Sequence, residues 1–139
     1  MDAKVHLQLA NSIEAIAPVL DQIESVLDAK GADQQVVFRI RLALDELITN
    51  SITHGFPEGG EHSIAIDLTI GADRVAVELS DDGVPFNPLL APDAVVTGSA
   101  EDRPIGGLGL HLVKELIPEV SYRHARGRNI VRLASPRSS

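Results

Sequence analysis

Val5, Leu7 and Leu9 alternate with His6, Gln8 and Ala10, which predicts a short first strand with one buried face. The period then changes. Ile13, Ile16, Ala17, Leu20, Ile23 and Leu27 recur at helical spacing up to Gly31, with Asn11 or Ser12 as candidate caps and Glu14 in the first turn. Pro18 falls inside this run, so the helix either begins near it or bends there. Asp33 is placed to cap a second helix, whose buried stripe is Val37, Ile40, Leu44, Leu47 and Ile48. That helix is expected to stop near His54, at Gly55-Phe56-Pro57.

Two alternating runs follow, Ile64 to Ile70 and Val75 to Leu79, joined by Gly71-Ala72-Asp73; they predict an antiparallel hairpin. From Val84 to Ile105 the period is lost and Pro85, Pro88, Pro92, Gly98 and Pro104 accumulate, the pattern of a functional lid or a disordered loop. Gly106-Gly107-Leu108-Gly109 then opens a helix carrying Leu110, Leu112, Val113, Leu116 and Ile117, which Pro118 ends. Val120, Tyr122 and His124 alternate, Gly127-Arg128-Asn129 turns, and Ile130, Val131 and Leu133 form a last strand. A polar tail, 135–139, is expected to be flexible. The order β-α-α-β-β-lid-α-β-β predicts one domain over residues 1–134, an α/β (α+β) two-layer sandwich with a largely antiparallel sheet.

Composition narrows the function. The 139 residues are 44% apolar and 23% charged, enough to fill one core. Three Phe, one Tyr and no Trp make that core aliphatic and leave no stacking platform for single-stranded nucleic acid. Twelve basic against twenty acidic residues give a net charge of −8, which repels a phosphate backbone, so no direct nucleic-acid partner is expected. One small anion held by local backbone dipoles stays compatible with that charge. Without cysteine there is no disulfide, thiolate zinc site or catalytic thiol. No apolar run is long enough to span a membrane, and Met1-Asp2-Ala3-Lys4 does not open a signal peptide; the expectation is a cytoplasmic protein without a membrane partner.

Three constellations carry possible chemistry. Glu46, Asn50 and His54, spaced by four, share one face of the second helix, roughly opposite the apolar stripe. They read either as a solvated polar face or as a carboxylate one turn from a neutral oxygen ligand for magnesium. Thr49, Ser51 and Thr53 beside them are poor helix formers, which a free surface would not favour. Asp81-Asp82-Gly83 ends a strand, and is either a simple turn or a fixed carboxylate beside a glycine that lets a ligand approach. Gly106-Gly107-Leu108-Gly109-Leu110 opens a helix, and is either a hinge or a row of N–H groups at the positive end of the helix dipole, suited to phosphate. No Walker A, Rossmann, zinc-ligand or Gly-x-Ser-x-Gly pattern is present.

Together and in this order the three resemble the GHKL ATPases: Glu46-x-x-x-Asn50 their N-box, Asp81-x-Gly83 the first glycine box and Gly107-x-Gly109 the second. The similarity is greatest to the small serine-kinase anti-sigma factors of bacterial partner-switching systems. It rests on 41–50 with His54-Gly55, on Asp81 to Pro88, on Arg103 to Val113 and on Gly127-Arg128-Asn129. The resemblance implies a Bergerat-type ATP-binding fold, with helices on one face of a largely antiparallel mixed sheet. It implies ATP and Mg2+ as cofactors, with Asn50 holding the metal and Glu46 acting as base on the incoming hydroxyl. Asp81 would accept the adenine amino group, Gly83 would leave room for the base, and Gly106, Gly107, Leu108, Gly109 and Leu110 would cradle phosphates. Arg103, at the lid's end, is a further candidate for the terminal phosphate. Pro85 departs from the superfamily pattern, standing where many members have the box's second glycine. The implied activity is that of a serine/threonine protein kinase and anti-sigma factor that phosphorylates a STAS-type antagonist, binds a sigma factor and forms a homodimer. The alternative is an ATP-binding regulatory module acting by binding alone.

Overall fold

In the computed structural model, which describes residues 2–87, 89 and 113–138, the elements follow the order read from the chain. They are β1 (Ala3–Ala10), α1 (Ile16–Ala29), α2 (Gln34–Gly55), β2 (Ser63–Ile70), β3 (Arg74–Asp81), β4 (Glu119–Ala125) and β5 (Arg128–Pro136). Residues 113–116 form a further helical turn, closed by a bond from Ile117 N–H to Val113 O of 3.0 Å. The sheet runs β1-β2-β3-β5-β4. Each of these neighbouring pairs is antiparallel, so the mixed sheet that the resemblance implied is not found among the described strands.

One face of the sheet packs on the helices because alternation puts every second side chain there. Ile64, Ile66, Leu68 and Ile70 of β2, Val75, Val77 and Leu79 of β3, and Val131 and Leu133 of β5 are buried against Val37, Ile40, Leu44, Leu47 and Ile48 of α2. Each such side chain contributes about 1.5–3 kcal/mol when fully buried. The outer face carries the intervening polar residues, among them Asp67, Glu78 and Arg132.

Asp33 caps α2 as expected, its Oδ1 accepting from Gln35 N–H at 3.0 Å. The start of α1 differs from expectation. A short three-ten segment, Ile13–Ala15, precedes it, so Ile13 falls out of phase with the helix and is 53% exposed. Ala17 is exposed and Val19 takes its place in the buried stripe. Pro18 lies in the first turn of α1, where its missing N–H removes no bond. Neither proposed cap acts by its side chain. Ser12 makes no capping bond, and Asn11 instead donates to Gly60 O and accepts from His62 N–H, fastening β1 to the loop before β2.

Two C-terminal expectations are also corrected. The turn between β4 and β5 is Arg126-Gly127, both at positive φ (56° and 73°), the signature of a tight hairpin turn. Arg128 and Asn129 therefore belong to β5. The tail expected from residue 135 onward instead continues β5 through Pro136, pairing with Val75 and Arg74. Arg137 then ties three places together. Its guanidinium donates to Gly71 O and Lys30 O, its N–H donates to Asp73 O, and its carbonyl accepts from Asp33 N–H.

Candidate functional site

The last two turns of α2 and the end of β3 meet here. α2 reaches this point because its apolar stripe lies on the sheet, and β3 ends there because Asp82-Gly83 turns the chain. Gly55, the last residue of α2, accepts from Val84 N–H at 2.9 Å. A Cβ added at Gly83 would stand 2.5 Å from that same carbonyl oxygen, so only a glycine allows the approach. Phe86 continues past the turn to pack on His54, with ring centroids 5.2 Å apart.

The three polar residues of α2 do not share one environment. Asn50, expected opposite the apolar stripe, is 3% exposed and lies at its border. Its Nδ2 donates to Glu46 O at 2.8 Å, which turns the amide oxygen Oδ1 away from the helix backbone. His54 is exposed. Glu46 is half-buried, and its Oε2 is a buried oxygen without a hydrogen-bond partner among the described residues. Burial first, and the neighbouring Asp45 carboxylate second, push the Glu46 carboxyl above its ordinary value.

That direction fixes a pH dependence. Glu46 holds its proton more tightly in the fold than in the unfolded chain, so stability is lost as the pH rises from the ordinary value of 4.5 through the raised one. Below the ordinary value of 4.5 the carboxyl is protonated in both states and the cost vanishes. Glu46→Gln is therefore expected to melt at a higher temperature than the wild type at neutral pH. Thermal melts from pH 4 to pH 8 check this: the gap should widen as the pH rises, and a gap independent of pH would show that the charge carries no cost.

Asp81 is 6% exposed. Its Oδ1 accepts from Gly83 N–H at 2.9 Å and from Asn129 Nδ2 at 3.0 Å, and both of these bonds fall on that one oxygen. Asp82 points outward to His62 Nδ1 at 3.1 Å. Asn129 is the residue that sequence reasoning missed, having placed it in a turn. A signal was available: Asn129, Val131 and Leu133 form one period-two row, which puts a polar amide on the buried face of a strand. The structure thus sets the Asp81-Gly83 turn against Gly55 at the end of α2, with Asn50 in the last turns of that helix and Glu46 one turn further back along it. Arg103, Gly106, Gly107, Leu108, Gly109 and Leu110, with most of the expected lid from Val84 to Ile105, lie outside the described residues.

A helix-backed antiparallel sheet, with a carboxylate and an amide one turn apart in the C-terminal half of α2 and a second carboxylate fixed by a strand-end glycine turn, defines a class. The profile of the histidine kinase-like ATPase domain matches residues 9–135, and the chain belongs to that family. It is similar to the serine-protein kinase RsbW of Listeria monocytogenes serotype 4a (strain HCC23), 27% identical over 135 residues, spanning 94% of this chain and 86% of that one. The serine/threonine-protein kinase BtrW of Bordetella bronchiseptica is 32% identical over 100 residues, spanning 70% of this chain and 69% of the relative. Within the family, then, the chain stands among the protein serine/threonine kinases. Its fold matches one part of the solved chain holding the RsbU and RsbW domains of Rv1364c from Mycobacterium tuberculosis, with a TM-score of 0.64 at 22% identity, covering 95% of this chain and 32% of that one. The catalytic domain of the histidine kinase ThkA superposes with a TM-score of 0.56 at 18% identity, covering 97% and 99%.

Proposed function

We propose that this chain is an ATP- and magnesium-dependent kinase and anti-sigma factor of a partner-switching system, whose substrate is a small STAS-type antagonist. The observation that carries the reading is the buried Oε2 of Glu46, without a hydrogen-bond partner among the described residues, one helical turn from Asn50. A buried carboxylate oxygen without a donor costs stability, and a substrate hydroxyl would satisfy it. A carboxyl raised by burial is also a stronger base than a solvated one, which suits it to accept the proton of an incoming serine or threonine.

The donor set fits the cofactors. A carboxylate and an amide oxygen are hard ligands of the kind magnesium takes, and Asn50 Oδ1 would hold the ion. Magnesium, when bound, neutralises charge on the phosphates. Asp81 would accept the exocyclic amino group of adenine on Oδ2, since the bonds to Gly83 and Asn129 both fall on Oδ1. Gly106, Gly107, Leu108, Gly109 and Leu110 would line the phosphates and Arg103 would reach the terminal one. A cytoplasmic protein that pairs as a homodimer and binds a sigma factor completes the reading.

The test supplies labelled ATP, magnesium and candidate STAS-domain antagonists and follows label on serine or threonine. Incorporation into an antagonist, followed by its release, is the expected result. Stable, nucleotide-dependent binding of antagonist or sigma factor without any incorporation would overturn the kinase reading in favour of a regulatory ATP-binding module.

The metal role has its own expected outcome. Asn50→Ala should weaken ATP binding in the presence of magnesium and leave metal-free binding nearly unchanged, because one oxygen ligand matters only when the ion is there. Calorimetry with and without magnesium checks it. Equal losses under both conditions would assign Asn50 to packing at the end of α2.

A further inference from the structure

Asn129 sits where four segments converge, and its amide is spoken for on both ends. Oδ1 accepts from Phe86 N–H at 3.0 Å and from the Tyr122 hydroxyl at 2.6 Å. Nδ2 donates to Asp81 Oδ1 at 3.0 Å and to Val84 O at 2.9 Å, with Gly83 O at 3.3 Å. The orientation of the amide is not arbitrary. The Phe86 N–H faces one end and three acceptors face the other, so flipping it would oppose like with like at these four contacts, while the Tyr122 hydroxyl could serve either end. The side chain is 5% exposed, and no water competes for these bonds at small cost.

We infer that Asn129 is a positioning residue that sets the nucleotide-base preference of this kinase, by holding Asp81 so that one oxygen is engaged and the other is presented. The inference rests on the proposed adenine role of Asp81 and adds the device that aims it. Without the Nδ2 donor, the carboxylate keeps among the described residues only the Gly83 N–H bond and can rotate about its last torsion. Tyr122 acts one step further back. Its hydroxyl, reaching Asn129 from the edge strand β4, anchors the side chain that holds Asp81. The two donors on Oδ1 differ in origin: one is the backbone of the turn itself, the other a side chain from the opposite side of β5.

The test compares ATP with purine riboside triphosphate, which lacks the 6-amino group, by calorimetry on the wild type, Asn129→Ala, Asn129→Asp and Tyr122→Phe. Wild type should prefer ATP by about tenfold or more, the range of a hydrogen bond to a charged acceptor. In Asn129→Ala that preference should collapse to within about threefold through loss of ATP affinity, while the analogue binds as before. Asn129→Asp keeps the size and the Oδ1 acceptor but replaces the donor to Asp81, and should lose the preference likewise. Tyr122→Phe keeps a ring and removes one bond that steadies the amide, so the preference should fall part of the way. A merely structural role would weaken both ligands together, and that result, or an unchanged preference in Asn129→Ala, overturns the inference. If the wild type itself shows no preference for ATP, the adenine role of Asp81 is what has failed. Thermal melts of each variant separate these outcomes from unfolding; should Asn129→Ala not fold, Tyr122→Phe decides by the same comparison.

Discussion

Replacing Glu46 by Gln is expected to abolish most phosphorylation of a STAS-type antagonist while leaving ATP binding and partner binding in place. The substitution keeps the size of the side chain and removes its ability to accept a proton at neutral pH. General-base catalysis is typically worth about 10²–10⁴-fold, and we expect a loss of at least tenfold as a cautious lower bound. The environment strengthens the expectation, since burial and Asp45 raise the Glu46 carboxyl and its Oε2 has no hydrogen-bond partner among the described residues. Partner binding should outlast the loss. Where the wild type adds a phosphate whose charge tends to break the contact, the variant should hold its antagonist. Initial rates with labelled ATP, together with pull-down of the antagonist, check both halves. Phosphorylation at the wild-type rate would remove Glu46 from the role of base.

Gly83→Ala is the second large effect, and it acts on fold and site together. The added Cβ would lie 2.5 Å from Gly55 O and 3.0 Å from Asp81 Oδ1. The first neighbour is backbone, so no flexible side chain can give way. Overpacking of this kind costs about 1–3 kcal/mol. Separating Gly55 from the turn also breaks the bond to Val84 N–H, worth about 1 kcal/mol more. A melting temperature lowered by roughly 10 °C is the expected result in a domain of this size. ATP affinity should fall with it, since Asp81 Oδ1 accepts from Gly83 N–H and shifts when the turn shifts. A variant that melts with the wild type and binds ATP as tightly would show that the turn relaxes freely.

Much of this was legible because the periods are clean. The alternation of Ile64 to Ile70 and the stripe from Val37 to Ile48 each have one reading, and both appear in the core. Glu46 and Asn50 were legible as types at a spacing, yet their burial was not. Four residues along a helix fix a face, but only the packing of that face decides whether it is wet. Ile13 failed for a related reason, since a three-ten turn has a different period from the helix it introduces. The turn before β5 was read as starting one residue late and ending two residues late, because Gly127 marks one of two left-handed positions and Arg126, the other, carries no signal in its type. That displacement hid Asn129.

The strand order has a consequence for synthesis of the chain. β4 pairs with β5, and β5 joins β3, so the strand made after β4 is inserted between two that precede it. A ribosome that has finished β4 therefore holds a nascent chain in which β3 offers an open row of backbone donors and acceptors, from Arg74 to Asp81. Such an edge is a template for pairing with other chains. It closes only when Arg128 to Pro136 have emerged, so the sheet is completed late, by contacts such as Val75 with Ser135 that span 60 residues of sequence. Premature termination anywhere within β5 would release a polypeptide with β4 adrift and β3 exposed, a species prone to self-association rather than a shortened but working enzyme.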